Sequence, residues 1–328
     1  MRRRNWLAGM LAACGAGARA QATVGLRRVG ILGSIHSPDA MAGPQPRSSF
    51  VLALVQGLRD LGLVYGQHYV TEVRSTEGRP DRLGPLALEL SRLPLDVIVA
   101  SGPAVPALQQ VVRQTPIVMT GSADPVGQGF VQSLARPGGN ITGMSNQSVD
   151  TTAKRLEILG EVARLNTGPV AVMWDRYSLL NWQEAVAAAR ERGWRLLSLE
   201  LRDAAQIDAA LREATANRAS GLLVFNSALM DRQAARIAAL ATQARLPAMY
   251  GFRLYAEAGG LLAYGPDLVD NWRRSASHVD RILKGANPAE MPVEQPVKFE
   301  LLVNLQAARA IGLAVPRSLL LRADEVIG

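Results

Sequence analysis

The sequence predicts two α/β lobes, each built on a doubly wound parallel sheet, and three observations support this. Short apolar runs without polar alternation recur along the 328 residues, which is typical of strands covered on both faces. Amphipathic segments separate these runs, and strict alternation of strand and helix predicts parallel strands with right-handed crossovers. The series begins near Val29 and again near Val170. Its eight strands and the remaining tail exceed the usual size of one twisted sheet.

The first series begins with a strand over 29–32. Ser48 or Ser49 caps the following helix, which ends at Gly62, because a serine oxygen can accept a hydrogen bond from the first turn and glycine ends a helix readily. A proline is tolerated in a first turn, so the helix after the second strand starts at Pro80. The remaining predicted elements are strands over 69–73, 97–100 and 117–119 and a helix over 104–112.

The second series repeats this order. Its predicted strands cover 170–173, 196–199, 222–225 and 248–250, and its helices cover 182–191, 207–215 and 232–244. The glycine-rich stretch 136–140 precedes an apolar run instead of a helix, so it predicts a turn that feeds a crossing strand rather than a phosphate-binding loop.

These series divide the chain into lobes. We predict that 24–143 with 265–294 form the first lobe and that 144–264 with 295–328 form the second. The chain would cross between them near 141–143, 263–265 and 297–304. Since open parallel sheets bind ligands outside the carboxyl ends of their strands, two such edges facing each other would enclose a cleft.

Residues 1–22 have the order of an export signal. Arginines in Met1–Asn5 precede a short apolar run, and small residues at Ala18–Ala20 or Ala20–Ala22 offer a cleavage site. The pair Arg3–Arg4 approximates a twin-arginine signal, so export by either the Sec or the Tat route is open. Cys14 follows a stretch similar to a lipoprotein box. We therefore expect a periplasmic or extracytoplasmic protein, with lipidation at Cys14 as an alternative.

Composition and motifs argue against several classes of protein. The formal charge is +8, but the arginines alternate with acidic residues instead of forming a basic stripe, so no nucleic-acid partner is expected. One cysteine and three scattered histidines do not suit a metal site, and no cofactor is expected. Motifs for a nucleophile elbow, a phosphate loop and a metalloprotease helix are absent. No segment suits a membrane span. We therefore expect a binding protein and not an enzyme.

Polar, glycine and aromatic residues follow the predicted strands, although the strands themselves are apolar. Residues just before helices can be helix caps, but their gathering at strand ends favours a shared ligand site. The candidate ligand-binding residues are Ser34, Ser101, Gly102, Ser122 and Asp124 in the first series and Trp174, Asp175, Asn226, Ser227, Tyr250 and Phe252 in the second.

Several longer motifs resemble the ABC-transporter substrate-binding family that includes tryptophan-binding lipoproteins. They are Gly57–Gly62, Glu77–Leu83, Ala123–Gly127, Leu134–Gly143, Pro247–Phe252, Glu257–Leu261, Tyr264–Asp267, Pro292–Pro296 and Arg322–Ile327. The resemblance implies a type I periplasmic-binding-protein fold with two lobes and three crossings. It also implies a small-molecule cargo, an amino acid or a related carboxylate with aromatic amino acids included, and delivery to a permease energised by an ATPase, both separate chains.

By the same resemblance, Ser101, Ser122 and Asp124 would form the first wall and Asn226 and Tyr250 the second. The segments 35–38 and 43–46 depart from the family's commoner pattern, which affects ligand choice.

Alternatives remain at this stage. A ligand sensor of the same fold would feed a membrane receptor instead of a transporter, and an α/β enzyme would need turnover. A transcriptional effector domain would carry a DNA-binding helix pair where this chain has its signal. We expect a monomer, the default for a carrier.

Overall fold

The computed structural model describes residues 25–146 and 149–328, with the side chain of Ala228 left out. Strands and helices alternate along most of the chain. The strands are β1 (Arg27–Gly33), β2 (Tyr69–Ser75), β3 (Val97–Ala100), β4 (Ile117–Ser122), β5 (Ile141–Ser145), β6 (Val170–Trp174), β7 (Leu196–Glu200), β8 (Gly221–Val224), β9 (Ala248–Tyr250), β10 (Leu262–Pro266), β11 (Phe299–Asn304) and β12 (Glu325–Ile327).

Helices cover the faces of two sheets. They are α1 (Pro38–Met41), α2 (Ser49–Asp60), α3 (Leu83–Ser91), α4 (Val105–Val111), α5 (Thr152–Val162), α6 (Leu179–Glu191), α7 (Ile207–Ala216), α8 (Ala228–Arg232), α9 (Ala234–Gln243), α10 (Arg253–Glu257), α11 (Leu268–Leu283), α12 (Leu305–Ile311) and α13 (Arg317–Leu320).

The first sheet is fully parallel, in the order β2-β1-β3-β4-β5. The strands β1, β3 and β4 at its centre are apolar and almost entirely buried, as expected when helices cover both faces. Two apolar clusters of the first lobe lie on opposite faces, one including Val29 and Leu54 and the other Ile98 and Leu108. The two-lobed α/β architecture with parallel sheets is confirmed.

The second sheet has seven strands in the order β12-β11-β10-β9-β8-β6-β7. Its strands pair in parallel except β10 with β11, which are antiparallel. The repeat in the sequence ended at 248–250, so the three strands that follow were not predicted. The chain leaves this sheet after β10 and returns along β11, which explains the reversed direction.

Helix α11, also not predicted as an element, belongs to the first lobe although it follows β10. It packs along α2, and a Cβ atom added at Gly57 would lie 2.5 Å from the carbonyl oxygen of Arg273. Such an approach is open only to glycine, so the two helices are in backbone contact at this point.

The chain passes between the lobes at three places, a few residues from those expected. The first was expected near 141–143; these residues are part of β5 at the edge of the first sheet, and the chain leaves the first lobe a few residues later, after Ser145. The second passage follows β10, where the Asp267 carboxylate caps α11 and pairs with Lys298. The third follows Glu294, whose carbonyl accepts the Ser145 amide. The crossing predicted over 297–304 falls largely on β11.

No helix in the described ranges, 25–146 and 149–328, has the length and apolarity needed to cross a membrane. The predicted signal at 1–22 and the predicted lipidation site at Cys14 lie outside these ranges.

The contact between α2 and α11 yields a prediction. Gly57→Ala is expected to lower the free energy of unfolding by about 1–3 kcal/mol, because the added methyl group forces the helices apart. Gly84→Ala is the matched control, since this glycine of α3 has open space around the added Cβ. It is expected to be neutral or to stabilise by up to about 1 kcal/mol. Chemical denaturation measures both, and equal effects would contradict the backbone contact.

Candidate functional site

A cavity of about 260 Å³ lies between the lobes. The first lobe contributes the segments that follow β1, β2, β3 and β5, the end of β4, parts of α1 and α2, and the start of α11. The second lobe contributes the end of α8 and the segment after β9. The cavity therefore lies at the carboxyl ends of the parallel strands, as the topology requires. Its lining residues are Gly33, Ser34, Ile35, His36, Met41, Ser48, Phe50, Val51, Glu77, Gly78, Ser101, Gly102, Pro103, Thr120, Gly121, Asn146, Asp231, Arg232, Phe252, Leu254, Leu268 and Trp272.

Hydroxyl groups form the polar part of the first lobe's wall. The Oγ atoms of Ser34 and Ser101 are 2.7 Å apart and share a hydrogen bond. The Ser34 carbonyl accepts the Thr76 hydroxyl at 3.0 Å and the Gly78 amide at 2.6 Å. Thr120 donates its hydroxyl to the Ala100 carbonyl. These bonds hold the ends of β1, β3 and β4 side by side, so that hydroxyl groups from three strands reach one surface.

Gly102 lets two of these strand ends approach closely. A Cβ atom added at Gly102 would lie 2.0 Å from the carbonyl oxygen of Gly121. Any larger residue would push apart the segments that follow β3 and β4. The absence of a side chain at this position therefore shapes the cavity wall.

Asp231 provides a carboxylate on the opposite wall. Its Oδ1 accepts hydrogen bonds from Asn226 Nδ2 and Tyr255 Oη, each at 3.0 Å. Within 25–146 and 149–328, no hydrogen bond to its Oδ2 is found, so this oxygen remains for a ligand. Burial raises the pKa of Asp231 to about 6, against the lowering by its two hydrogen-bond donors.

A buried charged cluster lies behind Asp231. Arg155 is fully buried and donates Nε to the Tyr264 carbonyl at 2.8 Å. Burial lowers the pKa of Arg155 to about 10, while Asp231 favours its charged form. Asp175 is also buried, which raises its pKa although Ser227 donates a hydrogen bond to it. Arg155 thus offsets part of the cost of holding the Asp231 carboxylate in a buried environment.

Aromatic rings form the apolar part of the cavity. Phe50 stacks on Trp272 with centroids 5.9 Å apart, and His36 meets Phe50 edge to face at 5.8 Å. Phe252 and Leu254 approach from the second lobe. A flat or apolar group held here would be covered from both lobes, an arrangement that buries most of a small ligand.

Four of the eleven predicted ligand-binding residues line this cavity: Ser34, Ser101, Gly102 and Phe252. Ser122 is the last residue of β4 and Asp124 follows it, and both bond to residues that do not line the cavity. Ser122 donates to Gln128 Oε1 at 2.6 Å, and Asp124 accepts the Gly127 amide at 2.8 Å. Their contact with a ligand stays a prediction.

The other five predicted residues lie in the second lobe behind the wall. The Trp174 ring stacks on Trp182 and donates Nε1–H to Ser198, and the Tyr250 ring is buried against Tyr255. Both rings belong to apolar clusters that run along the sheet.

The three polar residues of this group have local partners. Asp175 caps the turn at 176–178 and Ser227 caps α8, as the alternative interpretation of these residues expected. Asn226 orients Asp231. Their role is therefore to support the wall, and direct ligand contact by them stays a prediction.

Four residues that line the cavity were not predicted as site residues: Asp231, His36, Phe50 and Trp272. Asp231 lies five residues beyond Asn226, and extending the search two helical turns past each strand end would have found it. Trp272 is on α11, whose return to the first lobe joins segments far apart in the sequence. Neither composition nor periodicity reports such a contact.

A family model described as "ABC transporter substrate binding protein" matches residues 47–327. The chain belongs to the ABC transporter substrate-binding protein family. It is therefore a substrate-binding protein of a transporter, and its family is not one of enzymes. The interpretation from the sequence motifs is confirmed, including the type I periplasmic binding fold.

Individual relatives are distant. A tyrosine-binding protein of Clostridioides difficile is 20% identical over 259 residues, covering 78% of this chain and 74% of that protein. An ABC domain from Streptococcus pneumoniae, solved in complex with L-Trp, is 20% identical with a TM-score of 0.81, covering 92% of this chain and 100% of that one. The ligand-free, open structure of a substrate-binding protein with adhesive properties from Clostridium difficile has a TM-score of 0.67 at 20% identity, covering 92% and 99%.

The raised pKa of Asp231 yields a prediction about stability. Ionised Asp231 destabilises the folded state. The resulting loss in the free energy of unfolding is absent below pH 4, grows between pH 4 and 6, and is complete above pH 6. Asp231→Asn is therefore expected to raise the free energy of unfolding by about 1–2 kcal/mol at pH 8 and to leave it unchanged at pH 4.

Denaturant unfolding at pH 4, 6 and 8 tests this, with Asp39→Asn on the exposed surface of α1 as the control. A stability difference that does not depend on pH would contradict the assignment.

Proposed function

We propose that this protein is the extracytoplasmic receptor of an ABC importer and captures an amino acid, aromatic amino acids included, between its lobes. The lobes close on the cargo, and the closed form is recognised by a permease that an ATPase energises, both separate chains. Export through the signal at 1–22 by the Sec or the Tat route, or lipidation at Cys14, would place the receptor outside the cytoplasm.

The pairing of Asp231 with the serine wall supports this proposal. An amino acid carries an ammonium and a carboxylate group on neighbouring atoms. Asp231 Oδ2 offers an acceptor for the ammonium on the second lobe. On the first lobe, the Ser34 and Ser101 hydroxyls use one of their two protons for the bond between them, so the pair can turn the other proton to the carboxylate. A charge-assisted hydrogen bond in a poorly hydrated cleft is stronger than a neutral one.

The aromatic wall supports the second half of the proposal. Phe50 and Trp272 present a stacked pair, and Phe252 faces the same cavity from the other lobe. A planar side chain could stack here and be removed from water on both faces. The relatives named above for tyrosine and L-Trp bind ligands of this kind.

A hydrogen bond across the cleft supports closure. Arg232 of the second lobe donates Nη1 to the Gly78 carbonyl of the first. Gly78 has a φ of 76°, and a Cβ atom added there would lie 2.6 Å from Arg232 Cδ. Because Gly78 has no side chain, the Arg232 side chain can pack against its backbone. A ligand that contacts both walls favours this closed arrangement by its difference in affinity for the two states.

The function is tested by ligand binding. Calorimetric titration with the twenty amino acids and a set of small carboxylates is expected to show that aromatic L-amino acids bind. Asp231→Ala is expected to reduce their affinity by about a hundredfold, since it removes a charge-assisted partner. Asp39→Ala is the control and should bind as the unaltered chain does. Absence of binding by any amino acid, or intact affinity in Asp231→Ala, would refute the proposal. Mass spectrometry of ligand retained through purification checks the identity independently.

The bond between Arg232 and Gly78 yields a kinetic prediction. Arg232→Ala is expected to accelerate ligand dissociation about tenfold while leaving association nearly unchanged, because the bond exists only when the lobes are closed. Stopped-flow fluorescence with L-tryptophan as the probe measures both rates. Arg212→Ala, at an exposed arginine of α7 outside the cavity, is the control. A slower association with unaltered dissociation would mean that Arg232 guides entry instead.

A further inference from the structure

His36 is a polar residue within the aromatic part of the cavity. It lies in the segment 35–38, where the sequence departs from the commoner family pattern. Its ring packs edge to face on Phe50, whose other neighbour is Trp272. The apolar side chains of Met41, Val51 and Leu268 line the cavity around this group. The imidazole is half-buried.

A serine hydroxyl holds the imidazole in place. Ser48 is buried and occupies the N-cap position of α2, yet its side chain makes no capping hydrogen bond. Its Oγ lies 3.2 Å from His36 Nδ1 instead. A serine at this position usually accepts a hydrogen bond from an amide of the first turn. Here the Ser48 hydroxyl bonds to His36 and the helix lacks that capping bond. The ring orientation is therefore fixed from behind.

This arrangement leaves Nε2 for the cavity. Burial lowers the pKa of His36, so the ring is neutral at pH 7. Whichever tautomer is present, Ser48 occupies Nδ1 and Nε2 remains as a donor or an acceptor. In the part of the chain that the structure describes, no hydrogen bond to Nε2 is found. Nε2 is accessible to water, and a ligand that excludes this water without pairing with Nε2 leaves a polar atom unpaired, which costs free energy.

Building on the proposed function, we infer that His36 determines specificity, selecting an aromatic amino acid whose ring carries a hydrogen-bonding group. The phenol of tyrosine is the simplest such group, because its hydroxyl can donate or accept and so suits either tautomer. The second lobe would hold the ammonium of the cargo at Asp231, while the ring lies along Phe50 and its hydroxyl meets Nε2. A plain phenyl ring would leave the imidazole unpaired, and sites built around a hydrogen bond reject analogues that lack it.

The test compares L-tyrosine with L-phenylalanine by calorimetry, since the two differ in one hydroxyl. The unaltered protein is expected to bind L-tyrosine at least tenfold more tightly. His36→Phe keeps a ring against Phe50 and removes the polar atom, so the ratio should fall to within threefold of one. His36→Gln restores a polar group and should recover part of the selectivity. Ser48→Ala frees the imidazole and should lower the ratio without removing it.

The control is His68→Phe, at an exposed histidine whose Nδ1 accepts the Val64 amide outside this cavity. It should leave the ratio unchanged. Thermal unfolding of every variant verifies that it is folded. A ratio near one in the unaltered protein, or a ratio that survives His36→Phe, overturns the inference and leaves the proposed function intact. If no aromatic amino acid binds at millimolar concentration, the inference is overturned, and if no amino acid of any kind binds, the proposed function is overturned as well.

Discussion

The packing of α11 on α2 is the constraint on which the two-lobed structure depends. Helix α11 covers the first sheet although it follows ten strands along the chain. The first lobe is therefore incomplete without a segment that follows most of the second. This topology forces the chain across the junction three times and aligns the carboxyl edges of both sheets. The cavity between the lobes is a consequence of that alignment, and Trp272 on α11 brings part of the aromatic wall with it.

The second wall shows how binding and stability compete in this molecule. Asp231, Asp175 and Arg155 lie close together in a region with little water, where each charge carries a cost of desolvation. A protein selected for stability alone would replace such a cluster with apolar residues. A carboxylate that lines the cavity and is oriented through one oxygen by Asn226 and Tyr255 suits the recognition of a cation. The free energy of unfolding is lower because of it, as is common for functional sites.

Closure and recognition are connected through one short stretch of backbone. The segment Thr76–Gly78 is bonded to the Ser34 carbonyl, and Ser34 shares a hydrogen bond with Ser101 in the cavity. The same segment presents the carbonyl that Arg232 holds across the cleft. A ligand that orders the serine wall therefore also orders the partner of the closing arginine. Family membership assigns this geometry to a transporter's substrate-binding protein, and under the proposed function capture and release follow the movement of the lobes.

Local sequence patterns determined most of the individual elements. Continuous apolar runs such as Val97–Ala100 and Val170–Met173 identified buried strands, because burial on both faces excludes polar residues from consecutive positions. The same patterns located four of the cavity residues, since strand ends in a parallel sheet lie at one edge. Tertiary structure alone decided the rest. Asp231 and Trp272 reach the cavity through contacts between distant segments, and Tyr250 and Trp174 turn into the apolar clusters. Periodicity reports how each residue is buried but not which distant residue covers it.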